Sequence, residues 1–215
     1  MVRLLKRYTS LASALDMLAN RRFALLDPAS WKDKNDSRFL EAYRVHSELA
    51  KVYASCLTYA PETYHHWEVF SRHNEGVCVE FREIDFLDML PNITEYRYGD
   101  VKYYSGAEIK RMSFIRSEDL PFMKGDGYEP EKEFRVIFGD RIENGNVHYI
   151  RLNIDAVNRI IINPWIPHSL IEVVRSALKG ACGGSSRKIS ASRLLDDQQW
   201  RDAIKAVNNF EISLF

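Results

Sequence analysis

Residues Gly127 to Phe138 read Gly-Tyr-Glu-Pro-Glu-Lys-Glu-Phe-Arg-Val-Ile-Phe, three carboxylates at alternate positions running into an apolar stretch. Strand side chains alternate between faces. Glu131, Glu133 and Arg135 are therefore expected on one face, with Phe134, Val136 and Phe138 turned toward a core. Such a strand requires a sheet with a covered apolar face. It also requires something to offset like charges crowded on the other face. The entrance of this strand is a candidate site.

The remaining pattern supplies the partners of that strand. Residues 3 to 9 read as a strand, and Ser10 as the N-cap of a helix with Leu11, Leu15 and Leu18 on one side, closed by Asn20. Phe23 to Leu26 is a short apolar run, and Trp31 to Asp36 a polar loop. A helix is expected from Phe39 to Val52, then a strand over Tyr53 to Tyr59. Pro61 suits the first turn of a helix through Tyr64, Trp67 and Phe70, stopped near Gly76. Val77 to Phe81 is the clearest strand. Asp85 to Leu90 reads as helix, Val101 to Tyr104 as strand, and Ala107 to Arg116 as helix. Asn144-Gly145 marks a hairpin turn that would pair the strand at Glu133 with Val147 to Leu152. Beyond it come a strand over Arg159 to Asn163, a helix over His168 to Leu178 and a strand over Lys188 to Ser192. A helix over Asp197 to Val207 and a last strand over Phe210 to Leu214 follow. These elements imply one α+β domain over 1–215, with a mixed, mostly antiparallel sheet and flanking helices.

Lys plus Arg and Asp plus Glu are 30 each, which argues against a generally polycationic nucleic-acid binder. Three cysteines, Cys56, Cys78 and Cys182, are odd in number and form no CxxC pair, which fits a reduced, cytoplasmic protein. No apolar stretch is long enough to span a bilayer, so no membrane is expected as a partner. His65, His66 and His73 lack metal-site spacing, and no metal is expected. Neither GxGxxG nor GxxxxGK[ST] is present.

Several motifs in order resemble the bacterial and phage domain-of-unknown-function family 2971, over residues 3 to 170. They are Lys6-Arg7-Tyr8-Thr9, Asn35-Asp36, Ser55-Cys56-Leu57-Thr58, Trp67 before Gly76 to Phe81, Val101 to Tyr104, and Tyr128 to Arg135. The same order resembles, more distantly, that of the ADP-ribosyltransferases. In those enzymes a first strand carries His or Arg, a middle strand Ser or Thr, and a later strand begins with a Glu, often as Glu-x-Glu. That resemblance implies a split sheet and NAD as substrate. It places Glu133 and Glu131 as catalytic residues, and Arg7, Tyr8, Thr9, Ser55, Thr58, Asn35 and Asp36 around the cofactor. A toxin or phage-defence role is the matching expectation. The target, whether protein, nucleic acid or small molecule, is left open, as is the choice of principal carboxylate between Glu131 and Glu133. The chain departs from the family pattern at Ser37-Arg38, where an acidic residue is expected.

Breaking the nicotinamide–ribose bond makes the ribose carbon oxocarbenium-like, and an adjacent carboxylate stabilises that charge. Glu133 would do so, Glu131 would orient it or prepare the acceptor, and Arg7 would hold a phosphate. Arg7 and a glutamate must then face one cleft; Arg7 and Glu133 on opposite sides of the sheet would overturn the transferase reading drawn with Arg7. Blander readings stand beside these. Arg135 can simply pair with Glu133, Trp67 is core, and Asn35-Asp36 is a turn and helix cap. A non-catalytic binding module of the same fold is the alternative, and it expects a shallow or blocked pocket. A metal nuclease is the weaker third.

Overall fold

The strand that carries Arg7 lies where two halves of a sheet meet. The computed structural model describes residues 2–31, 33–71, 75–142, 145–184, 188–196 and 198–207. In it β1 (Leu4–Ser10) runs antiparallel to β4 (Gly76–Arg82), from Leu4 opposite Arg82 to Ser10 opposite Gly76. On its other side β1 meets β3 (Lys51–Thr58) at one pair, Lys6 opposite Thr58. β3 instead pairs over its whole length with β8 (Glu133–Asp140), and β8 in turn with β5 (Tyr96–Asp100). Beyond β4 lie β10 (Val157–Ile162) and β11 (Lys188–Ala191), the latter parallel to its neighbour. β2 (Arg22–Leu26) touches β3 at Leu26 opposite Ala54 and carries β9 (Val147–Arg151) at its edge. A separate parallel pair is formed by β6 (Lys102–Tyr104) and β7 (Met123–Gly125). The expected α+β class with a mostly antiparallel sheet and flanking helices is present, and the sheet divides at the β1–β3 join.

Alternation along the strands separates two faces. One buries Leu5, Phe23, Tyr53, Leu57, Val79, Phe134 and Val136 under α1 (Leu11–Ala19), α4 (Glu83–Asp88) and α6 (Ile171–Ala181). The other face is covered in two pieces. Leu40 and Tyr43 of α2 (Lys34–His46) pack with Val52, Ala54, Met123 and Ile137. Trp67 of α3 (Tyr64–Phe70) packs with Tyr8, Cys78 and Ile161. The interval between those two clusters falls on the β1–β3 join.

Local chemistry accounts for the element boundaries. Ser10 caps α1 by accepting from the Ser13 amide at 3.1 Å, and Asn20 closes that helix, as the sequence implies. α2 starts at Lys34, well before Phe39, because the Asp33 carboxylate accepts from the Asn35 and Asp36 amides. Thr63 caps α3 and the helix begins at Tyr64, so Pro61 lies before its first turn rather than in it. Gly76 opens β4 rather than stopping a helix; a Cβ there would lie 2.2 Å from Ser71 Cβ. The expected β8–β9 hairpin does not form. Both edges of β8 are occupied, by β3 and β5, so β9 pairs with β2 from Arg22 opposite Arg151 to Leu26 opposite Val147. β5, Tyr-Arg-Tyr-Gly-Asp, lacks the apolar alternation that would mark it as a strand. Asn144 and the expected strand at Phe210 to Leu214 lie outside the described residues. Among the described residues no helix is long and apolar enough to cross a membrane.

Candidate active site

Register decides which expected site residues meet. Lys6 is opposite Thr58, and Thr58 opposite Glu133, so these three side chains share one face. Arg7 and Ser55 are out of phase with them by an odd number of residues and point to the other face. There Arg7 Nη1 donates to the Ala24 carbonyl at 3.0 Å and to Ser55 Oγ at 2.6 Å. The guanidinium carbon lies 4.4 Å from the Phe23 ring centroid. Arg7 thus fills the wedge where β1, β2 and β3 diverge, and burial lowers its pKa to about 10. The expectation that Arg7 and a glutamate face one cleft is corrected: the sheet stands between them. Ser55 and Thr9, opposite the buried Val77, lie on the Arg7 side.

Tyr8, Thr58 and Asp36 come to the glutamate face. The Tyr8 ring stacks on His66 at 5.4 Å and meets Trp67 edge-on at 4.9 Å. The Thr58 hydroxyl donates to the Glu131 carbonyl and accepts from the Ala60 amide, tying the end of β3 to the turn before β8. Asn35 is exposed in the first turn of α2. The polar loop expected over Trp31 to Asp36 is half helix, and Asp36 is not its cap; Asp33 is.

Glu131 does not belong to the strand. It ends a 3-10 turn, Asp126–Glu131, and Lys132 follows in the left-handed region at φ 42°. That kink is held by the Lys132 amide donating to the Glu129 carbonyl and the Tyr59 amide donating to the Lys132 carbonyl, each at 3.1 Å. It returns Glu131 to the side of Glu133 although strand alternation stops at Glu133. Glu129 also lies in the turn, not in a strand.

Five buried charged groups meet there. Arg135 is 0 % exposed; its two terminal nitrogens grip Asp36 at 2.9 and 2.8 Å, and Nε donates to Glu133 Oε1 at 2.7 Å. Nη1 also donates to the Pro121 carbonyl at 2.8 Å. Lys124, from β7, donates to Glu131 Oε2 at 2.6 Å and to Glu133 Oε2 at 3.0 Å, and lies 3.7 Å from Asp36 Oδ2. Three carboxylates face two cations. Burial by itself raises a carboxyl pKa, but Arg135 and Lys124 overcome it at Glu133 and bring it down to about 2. At Glu131 and at Asp36 burial prevails over their cations, and both are raised. Burial and the Glu133 charge also push the nearby Cys56 thiol well up.

The signs give an acid-stability prediction. A carboxyl lowered on folding contributes stability that is full above its unfolded value and lost as pH falls toward its folded value. For Glu133 that window runs from about 4.5 down to about 2. Glu131 and Asp36, raised on folding, act with the opposite sign and partly offset it. The Tm of the wild type should therefore fall more steeply across that window than the Tm of Glu133→Gln. Parallel curves would contradict the assignment.

Two spaces adjoin the carboxylates. A slot of about 30 Å³ is lined by Lys6, Tyr8, Cys56, Phe70, Glu131 and Glu133. An open groove of about 590 Å³ at the end of the sheet shares Lys6 and Glu133 with it. Arg3, Lys132, Tyr59 and Tyr103 also line that groove, with Asp100 and Glu129 as further carboxylates. Tyr103 Oη accepts from the Glu133 amide at 2.8 Å. On the α3 side, half-exposed His65 places Nε2 3.8 Å from Glu131 Oε1. Lys124 was not found from the sequence; an isolated lysine between Met123 and Gly125 carries no periodic signal. Among the described residues, no group of three or more His, Cys, Asp or Glu is arranged to hold a metal ion.

No protein-family model matches the chain, and no curated protein matches it. The likeness to the family 2971 proteins therefore rests on the motifs alone. Among solved structures, the chain is similar to DarT of Thermus sp. 2.9 in complex with ADP-ribosylated ssDNA. The match has 9% identity and a TM-score of 0.46, and covers 89% of this chain and 94% of that one.

Proposed function

We propose that the chain is an NAD-using, ADP-ribosyltransferase-like enzyme whose reacting carboxylates are Glu133 and Glu131. The observation that carries this reading is the pair itself: two glutamates at one ammonium, one strongly ionised and one with raised proton affinity. Environments that push two carboxyl pKa values apart divide the labour of acid–base chemistry. Glu133 opposes the positive charge that grows on the ribose carbon as the bonding electron pair leaves with nicotinamide. The acceptor's lone pair then forms the new bond to that carbon, and the acceptor's proton passes to Glu131. The groove beside Glu133 supplies Arg3, Lys6 and Lys132 for phosphate oxygens and Tyr59 and Tyr103 for ring contacts. Arg7 has no part in this scheme. The odd number of cysteines and the lack of a CxxC pair favour a cytoplasmic location.

The test is to incubate the purified chain with millimolar NAD, follow Tm, and measure nicotinamide released. A rise in Tm is expected, since a ligand of the native state stabilises it, together with slow release. No shift and no release would overturn the proposal. The non-catalytic reading has one observation in its favour: Lys124 already holds both glutamates and Arg135 also holds Glu133, and the slot beside them has a volume of about 30 Å³. It expects a Tm shift with a nucleotide but no nicotinamide, before or after Glu133→Gln.

A further inference from the structure

We propose that Lys124 is a positioning residue of this site, holding the Glu131 and Glu133 carboxylates at one ammonium so that Glu133 meets the ribose ionised. The proposal rests on the transferase reading and adds a residue to it. Lys124 Nζ reaches Oε2 of both glutamates, at 2.6 and 3.0 Å. Two carboxylates so placed repel each other, and without a cation between them one takes up a proton or the pair separates.

The contacts are unequal in a way that matters. Glu133 has a cation at each oxygen, Arg135 at Oε1 and Lys124 at Oε2. Glu131 has a full cation only at Oε2; its Oε1 faces His65 of α3 at 3.8 Å. Arg135 is held in turn by Asp36 of α2, so it cannot move toward Glu131 without abandoning a bidentate pair. Lys124 is thus the one cation of the described cluster that touches both glutamates. Its own position is fixed by β7, by the Tyr128 ring 4.7 Å away, and by burial to 7 % exposure. The other titratable groups facing the pair are Lys6 and Tyr8 of β1, Cys56 of β3, His66 of α3 and Tyr103 of β6; burial raises Tyr8, Cys56 and Tyr103 and lowers His66, while the Lys6 ammonium donates to the Ala60 carbonyl at 2.8 Å.

Lys124→Met should lower kcat for nicotinamide release by about 10²-fold and leave KM for NAD within about twofold. It should also move the acidic limb of the pH–rate profile upward by about one unit or more, because a cation within 4 Å of a carboxylate lowers its pKa by that order. Lys124→Arg should restore most of both. A lower Tm in Lys124→Met with an unmoved acidic limb would assign Lys124 to support alone and overturn the proposal. Carboxyl carbon NMR titration of the glutamates gives the second measurement and needs no turnover. If the wild type releases no nicotinamide, the transferase reading falls. The glutamate titrations must still shift upward in Lys124→Met, and unchanged titrations would overturn the role of Lys124 by themselves.

Discussion

Arg135→Met should cost about 3–5 kcal/mol of folding stability, the loss expected when one partner of a buried ion pair is removed. The side chain is 0 % exposed and joins α2, β8 and the Pro121 carbonyl through four donated hydrogen bonds. Methionine fills much of the volume but leaves Asp36 with only the Lys124 ammonium at 3.7 Å, and Glu133 with Lys124 alone. Both carboxylates are already only 4 % exposed, so water cannot replace the lost donors without opening the fold. Arg135→Lys retains the charge but not the fork and should recover only part of the loss. Urea unfolding measures this. A change under about 1 kcal/mol would mean that the network contributes no more than a surface ion pair. The double replacement Arg135→Met with Asp36→Leu should be less destabilised than Arg135→Met, because the orphaned charge is removed with its partner.

Glu133→Gln should lower nicotinamide release by about 10²–10³-fold, the loss typical of removing one group that stabilises transition-state charge. Glutamine keeps the shape and one carbonyl acceptor but carries no negative charge toward the ribose carbon. Binding of NAD should persist, since the groove cations Arg3, Lys6 and Lys132 are untouched. The expected signature is therefore a fall in kcat with KM nearly constant. Equal rates for Glu133→Gln and wild type would place the chemistry elsewhere. A fall confined to KM would make Glu133 a binding residue. Arg7→Met supplies a contrast: it should destabilise the β1–β3 join without this kinetic signature.

Much of this molecule can be read along the chain wherever interactions are local or periodic. The Ser10 cap, the β4 strand and the division of Glu133 and Arg135 from Phe134 and Val136 follow from alternation and capping, which involve only near neighbours. Pairing between distant strands does not follow so simply. Asn144-Gly145 favoured a hairpin, yet β8 found better partners on both edges and β9 went to β2. The start of α2 was obscured because Asp33 and Asp36 look alike in sequence. One caps the helix and the other meets a guanidinium 99 residues away.

The sequence by itself determined the class of the fold and the local character of Glu133 and Arg135, because side-chain direction in a strand alternates whatever lies around it. Only the tertiary structure decided who meets them. A one-residue difference in phase sends Arg7 into the core on the far face, where it closes the gap between diverging strands. A left-handed residue at Lys132 brings Glu131 back beside Glu133, and the short strand β7 delivers Lys124 between them. These are consequences of register and burial: like charges can be packed together out of water only where the fold carries a cation to the same point.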